Sequence, residues 1–470
     1  MIELRDYQEQ AVEQTIASLN KYRKVLVVSP TGSGKTVIAG KIIQRFLSKI
    51  PKKVLVLMHG DELIQQWGKS CYDMFGIRSG IIKSGVKPAK RHSLQIASVQ
   101  SAVRRDPLEN VGLVIIDECH RAKASSYQKL IELYPDAYII GITATPIRSD
   151  GQGFGDTFEH LIVATTKDKL IKEGHLVPFK LFITAINPDM LKNLAMRGDD
   201  YDERALGELM QDDTIMANAL KIWKEHADGK KTISFCSSVD HARAVAEMFQ
   251  EAGVKAAMVC GETPEYERKN IVERFRRGDI MYLANMGVFT EGFDVKDIEC
   301  VQLLRATKSY SLYSQMIGRG SRTAPGKDHC ILLDQGNNWI EHGLPNHEPK
   351  WKLEKTEPLE EKEIVMVKKK NEDGEFEIIP AFRSELPLFV DELEVMEADL
   401  TFRQDLIDAC FEYAERRGHK AAAAYYNFRD GIMRRGDMPT IPELHYFRMQ
   451  LGYDPYWVRA QARELGVKTL

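Results

Sequence analysis

Short β-branched, apolar runs closed by turn residues alternate along this chain with helical stretches. The first series is Lys24–Ser29, Lys53–His59, Leu94–Val99, Leu113–Asp117 and Tyr138–Thr143; the second is Thr232–Cys236, Ala256–Cys260, Met281–Asn285, Cys300–Leu304 and Cys330–Asp334. Such alternation predicts strands of a mostly parallel sheet covered by helices, so the expected fold class is α/β with two lobes of similar size, residues 1–153 and 231–345. The lobes share no clear sequence repeat. Gly76 to Arg91 reads as a Gly/Lys loop and helix start, and residues 154–230, with the acidic turn Gly198–Glu203, read as a connection whose elements pack across the cleft.

Beyond the second series the pattern changes. Residues 346–400 read as an acidic linker: Lys352–Leu400 has a net charge of roughly −8, interrupted by Lys368-Lys369-Lys370 and by a turn signal at Asn371-Glu372-Asp373-Gly374. Residues 401–470 read as a small helical C-terminal domain. Thr440-Ile441-Pro442-Glu443 fits a capping box, Asp454-Pro455 places an N-cap before an N1 proline, and Gly452 and Gly466 stand where helices end.

Composition narrows the class. A chain of 470 residues holds two to three domains, and 43% hydrophobic with 28% charged residues is ordinary for a globular protein. No apolar run approaches a membrane span and Met1–Asp6 lacks a signal pattern, so the expectation is a cytoplasmic protein with no membrane partner. The seven cysteines are scattered singly with no Cys-x-x-Cys pair, which predicts buried free thiols. A net charge of −3 argues against wholesale coating of a polyanion, so any nucleic-acid surface is local.

The candidate chemistry sits at strand ends. Ser29 to Thr36 follows a strand and opens a helix: the backbone N–H groups of Thr31, Gly32, Ser33 and Gly34 point at phosphates, Lys35 adds a point charge, and the Thr36 hydroxyl can ligate Mg²⁺. Ser29 stands where the pattern usually has its first Gly. Asp117-Glu118-Cys119-His120 closes the apolar run Leu113–Ile116, at the edge where open α/β sheets bind ligands; Asp117 would hold Mg²⁺ and Glu118 would orient or deprotonate a water.

Together these segments resemble a superfamily 2 helicase of the DEAD/DEAH-like kind. Leu4-Arg5-Asp6-Tyr7-Gln8 is similar to the adenine-reading Gln motif, Thr143-Ala144-Thr145 to the coupling motif, and Gln315 to Arg322 fits Gln-x-x-Gly-Arg-x-x-Arg. The motifs stand in the family's order over roughly Leu4 to Asp334. The resemblance implies two tandem RecA-like lobes and an ATP-hydrolysing motor that uses ATP and Mg²⁺ and acts on nucleic acid.

Carried over by position, Gln8 would read the adenine edge with support from Arg5, and Asp294 would contact the ribose. Arg319 and Arg322 would reach the γ-phosphate, Gln315 would position water or phosphate, and Thr143 and Thr145 would couple the lobes. His59, Gln100, Ser101, Ser237, Ser238 and Thr290 match strand-contacting positions. Between Arg416 and Arg463, basic residues interleave with aromatics, which suits either a nucleic-acid face with Arg416, Arg417, Arg434 and Arg435 on phosphates, or a helical core with a protein-docking face. Leu4–Val12, Leu170–Pro178 and His342–Pro345 are most similar to RadD-type and bacteriophage branch-migration helicases. The expected partner is therefore branched or forked DNA. An RNA helicase and the motor of a restriction-type complex stand as alternatives.

Overall fold

The computed structural model describes residues 2–58, 61–86, 89, 91–121, 124–148, 153–183, 188–288, 295–346, 348–354, 364–370, 376–382 and 393–395. The first lobe carries seven strands: β1 Lys24–Val28, β2 Lys53–Met58, β3 Ser79–Ile82, β4 Leu94–Ser98, β5 Val111–Asp117, β6 Tyr138–Thr143 and β7 His160–Val163. They pair in the order β3-β4-β2-β5-β6-β1-β7, every pairing parallel.

Both faces of this sheet are buried. Along β1, Val25 and Val27 join one apolar cluster with Ile38, Ile42 and Phe46 of the helix Lys35–Lys49, while Leu26 and Val28 join another with Ile116, Phe154 and Phe158. Strands covered on both sides need apolar residues at every position, which is why the central strands read as continuous runs. The order β5-β6-β1 sets the loops after Asp117, Thr143 and Val28 side by side at one edge of the sheet.

The main sheet of the second lobe is also parallel. The strands of this lobe are β8 Phe179–Ile183, the two-residue hairpin β9 Met196–Arg197 with β10 Asp200–Tyr201, then β11 Thr232–Cys236, β12 Ala256–Cys260, β13 Tyr282–Met286, β14 Cys300–Leu304 and β15 Cys330–Asp334. The main sheet runs β12-β13-β11-β14-β15-β8. Trp223 of the helix Asp213–Ala227 is buried against Phe249 and Tyr282, and its indole N–H donates to Thr232 Oγ1 at 2.7 Å.

Three edge strands depart from the sequence reading. The Gly76–Arg91 segment holds β3, and the 154–230 connection gives one strand to each sheet, β7 beside β1 and β8 beside β15. After β15 the chain turns back to the first lobe: Lys167 N–H donates to Glu348 Oε2 at 3.0 Å, Phe154 N–H donates to the Leu353 carbonyl at 2.6 Å, and Trp351 and Leu353 pack on the Phe154–Phe158 cluster.

The chain divides into Met1–Leu359 and Glu360–Leu470. In the second unit, within the segment read as a linker, β16 Ile364–Lys370, β17 Phe376–Phe382 and β18 Leu393–Val395 form an antiparallel sheet in the order β17-β16-β18. The helical domain expected over residues 401–470 lies outside the described residues. Among the described residues no helix is long and apolar enough to cross a membrane, and their six cysteines are buried and free.

Candidate nucleotide site between the lobes

The loop after β1 is held by its own hydroxyls. Ser29 Oγ donates to Ser33 Oγ at 2.6 Å and Ser33 Oγ donates to the Pro30 carbonyl at 2.7 Å, so the serine in place of the usual first glycine braces the turn. Gly32 and Gly34 have φ of 85° and 84°, a region that disfavours any side chain. Gly34 is the N-cap of Lys35–Lys49 and supplies no side-chain acceptor, which leaves the first-turn N–H groups aimed at whatever anion enters.

The N-terminal helix Asp6–Ser18 grips this loop from behind. Tyr7 Oη donates to the Ser33 carbonyl at 2.5 Å, Gln8 Nε2 donates to the same carbonyl at 3.0 Å, and Gln8 Oε1 accepts the Arg5 N–H at 3.1 Å. Both ends of the Gln8 amide are thus engaged inside the protein. Arg5 lines the cleft, and Gln8 is buried against the phosphate loop.

Asp117 ends β5, and its Oδ1 accepts the Glu118 N–H at 3.1 Å. Glu118 has φ of 47°, a strained conformation for a residue with a side chain, of the kind that collects at functional sites. Its Oε1 stands 3.3 Å from Lys35 Nζ and its Oε2 3.3 Å from His120 Nδ1. Cys119, fully buried between these residues, has its thiol pushed well above the ordinary range by desolvation, with Glu118 and Asp117 adding to the effect, so it is inert as a nucleophile.

From His120 a chain of hydrogen bonds crosses to the second lobe. His120 Nδ1 lies 2.9 Å from Thr143 Oγ1, and Thr143 Oγ1 donates to the Thr145 carbonyl at 2.9 Å. His120 Nε2 lies 2.9 Å from Gln315 Nε2, and Thr145 Oγ1 donates to Ser311 Oγ at 3.0 Å. An amide nitrogen only donates, so with Gln315 so oriented the His120 ring accepts at Nε2 and carries its proton on Nδ1, toward Thr143 and Glu118.

Gln315 and Ser311 belong to the helix Tyr310–Ile317, and Gly318 directly after it presses on the phosphate loop. A Cβ added at Gly318 would stand 2.7 Å from Thr31 Cβ. That close approach delivers Arg319 and Arg322 to the cleft. Lys296 and Thr323 complete the second-lobe wall, and His175 and Leu176 of the connection stand beside Arg5. The space enclosed is about 430 Å³.

Five cationic side chains, Arg5, Lys35, Lys296, Arg319 and Arg322, face two carboxylates, Asp117 and Glu118. This balance fits a polyanion such as a nucleoside triphosphate. The Thr36 hydroxyl and the Asp117 carboxylate are oxygen-only donors on the same wall and fit a hard divalent cation such as Mg²⁺.

The expected strand-contacting positions fare differently. Ser237 is fully buried and its hydroxyl lies 2.7 Å from His241 Nδ1, while Ser238 Oγ caps the helix Val239–Glu251 by accepting the His241 N–H. Both hydroxyls are engaged within the lobe. Gln100 is exposed, and the Ser101 N–H donates to Ser98 Oγ. His59, Thr290, Asp294, Arg416, Arg417, Arg434 and Arg435 lie outside the described residues. Tyr7, His175, Leu176, Lys296 and Ser311 had no assigned role from sequence; Tyr7, inside the Gln motif, and His175 and Leu176, inside the Leu170–Pro178 segment, carried a signal that could have found them.

Residues 1–148 match the family described as type III restriction enzyme, res subunit, and residues 213–324 match the helicase conserved C-terminal domain. A 51.5 kDa protein of a Lactococcus phage is 34% identical over 70% of this chain and 69% of its own length. The putative ATP-dependent helicase IRC3 of Saccharomyces cerevisiae is 31% identical over 70% of this chain, and the match spans 51% of that protein. A protein named DNA 3'-5' translocase XPB2, from Sulfurisphaera tokodaii, is 26% identical over 71% of this chain and 81% of its own. Among solved structures, a fragment of a putative HsdR subunit of a type I restriction enzyme from Vibrio vulnificus shares the fold, with a TM-score of 0.57, 22% identity, and coverage of 73% of this chain and 67% of that one.

Proposed function

The chain belongs to the superfamily 2 helicases, a family of nucleic-acid-dependent ATPases with two RecA-like lobes, and from that premise we propose that it is a DNA translocase that remodels forked or Holliday-type branched DNA. The observation that carries the motor reading is the pair of interlobe bonds, His120–Gln315 from the loop that holds Asp117 and Glu118, and Thr145–Ser311 from the neighbouring loop after β6. A change at the phosphate end of the cleft is felt at the lobe interface through groups already in contact.

In this reading the backbone of Thr31–Gly34 and Lys35 hold the β- and γ-phosphates of ATP, and Glu118 orients the attacking water. Thr36 and Asp117 would hold Mg²⁺, which neutralises charge on the phosphate oxygens when bound. Arg319 and Arg322 approach from the second lobe, where guanidinium groups stabilise the charge spread over the transferring group. Asp294 is assigned to the ribose. Loss of the γ-phosphate removes the contact that distinguishes closed from open lobes, and the cleft relaxes.

The choice of DNA is supported by the relative named as a DNA translocase and by Gln315 in the place where strand-separating RNA helicases carry histidine. Branched DNA rests on the likeness of Leu4–Val12, Leu170–Pro178 and His342–Pro345 to branch-migrating helicases. His59, Gln100, Ser101, Thr290 and the arginines Arg416, Arg417, Arg434 and Arg435 are the proposed strand contacts. A second reading, the motor of a restriction-type complex, is favoured by the match of residues 1–148. ATPase rates with single-stranded DNA, duplex, fork, Holliday junction and RNA separate these. Stimulation by forks and junctions with conversion of the junction supports branch remodelling; stimulation by RNA alone overturns it, and duplex stimulation without junction conversion favours the restriction-type motor.

A further inference from the structure

We infer that Lys327 is a positioning residue of the hydrolytic site: its ammonium ties the backbone of the Arg319–Arg322 segment to the Lys296 turn and so fixes where the two guanidinium groups stand. This rests on the assignment of the second-lobe arginines to the phosphates and names the group that holds them there. Lys327 itself stands outside the cleft.

The local sequence brings Lys327 back to this segment. Ala324-Pro325-Gly326-Lys327 has proline at the second place of a turn and glycine at the third, where Gly326 has φ of 76°, and the Lys327 N–H donates to the Ala324 carbonyl at 3.1 Å. These are the marks of a type II turn, whose third residue needs positive φ. The reversed chain returns the lysine side chain to the residues that precede it. Its Nζ donates to the Gly320 carbonyl at 2.6 Å, to the Arg322 carbonyl at 2.9 Å and to the Lys296 carbonyl at 3.4 Å. An ammonium has three N–H donors and no acceptor, so these three carbonyls engage all of them.

The carbonyl between the two arginine-segment acceptors is held as well. Ser321 accepts the Val177 N–H at 2.8 Å, Leu176 bridges to Arg322, and Gly320 lies so close to the sheet that an added Cβ would collide with Cys330 Sγ and Val301. Three successive carbonyls are therefore engaged, two of them by one side chain. The carboxylates that act on Lys327, Asp297 and Glu299, are paired with Lys231 and Lys230, which leaves the Lys327 donors to the backbone. From this frame Lys296, Arg319 and Arg322 line the cleft. A guanidinium on a flexible stem keeps its aim only if the backbone beneath it is fixed, and a misplacement of about 1 Å costs up to about 10²-fold in rate.

The test is single-turnover ATP hydrolysis by the full chain with forked DNA present, beside equilibrium binding read by displacement of N-methylanthraniloyl-ATP. Lys327→Met is expected to slow hydrolysis about tenfold or more with ATP affinity within about twofold of wild type, and Lys327→Gln is read beside it as a polar replacement. Combined with Arg319→Ala and with Arg322→Ala, Lys327→Met is expected to add less than about threefold to at least one of them, because the group it positions is already gone. An unchanged rate in both Lys327 variants, a parallel loss of ATP affinity, or the full slowing in both combinations overturns the proposal. Loss of the cooperative thermal melt in both variants would make Lys327 a general brace of the lobe and overturns it too. If neither arginine substitution alone slows hydrolysis, the arginine reading falls and this inference with it; slow arginine variants beside a wild-type rate in Lys327→Met and Lys327→Gln remove this inference alone.

Discussion

His120 of the first lobe and Gln315 of the second meet through their Nε2 atoms at 2.9 Å, with both side chains buried. The bond links the loop that follows Glu118 to the helix Tyr310–Ile317, which stands just before Arg319, and His120 Nδ1 lies 3.3 Å from Glu118 Oε2, so the lobe interface and this carboxylate meet at one imidazole.

Gln315→Ala removes the second-lobe end of that chain and leaves His120 Nε2 buried without its amide donor. A lost buried hydrogen bond costs about 1–3 kcal/mol. DNA-stimulated hydrolysis is expected to fall about tenfold or more while ATP binding persists, which steady-state ATPase assays with and without DNA measure.

Glu118→Gln keeps the shape of the site and removes the anion that faces Lys35 at 3.3 Å. Turnover is expected to drop about 10²–10⁴-fold with ATP binding retained, whereas Lys35→Ala loses both. Isothermal titration beside single-turnover hydrolysis separates the two outcomes.

Arg322→Ala and Arg319→Ala test the second-lobe cations. Because their contribution is greatest when charge moves onto the transferring phosphoryl group, hydrolysis is expected to fall about 10³-fold for at least one of them, with ATP affinity nearly intact. An unchanged single-turnover rate in both variants removes the arginines from the reaction.

Acid should unfold the second lobe early. Burial pushes His241 and His342 down to about 4, below the ordinary imidazole value of 6.5, so as pH falls from 6.5 toward 4 the unfolded chain takes up protons that the folded lobe excludes, and stability declines. Each accounts for roughly 3 kcal/mol over this window. Thermal melts from pH 7.5 to 4.5 should show a steep decline that His342→Gln flattens.

The central strands were legible because a strand buried on both faces has few polar positions: β1 after Lys24 and β5 up to Asp117 read as continuous apolar runs. β3 alternates between half-buried and buried residues, and β7 is four residues long with His160 at its start, so both resemble loops. At the site, Lys35, Glu118, Gln315 and Arg319 were readable as motif residues; the structure brings Lys35, Glu118 and Arg319 to one cleft and sets Gln315 on His120. Ser311 was not readable as an interlobe contact, because a lone serine becomes part of a site only through tertiary placement. The inward turn of the Ser237 hydroxyl was not readable either: at a strand end it can face solvent or the interior, and here His241 stands 2.7 Å away to bind it.

The most direct test is the distance between the lobes through the ATP cycle. Dyes on cysteines introduced at the exposed positions Glu13 and Glu267, in single-molecule energy transfer with forked DNA, report lobe closure. A single short distance with ATP in the Glu118→Gln background, and a longer one with ADP in the wild type, is the predicted result. Identical distances in the two nucleotide states would contradict a cleft that one ATP holds shut.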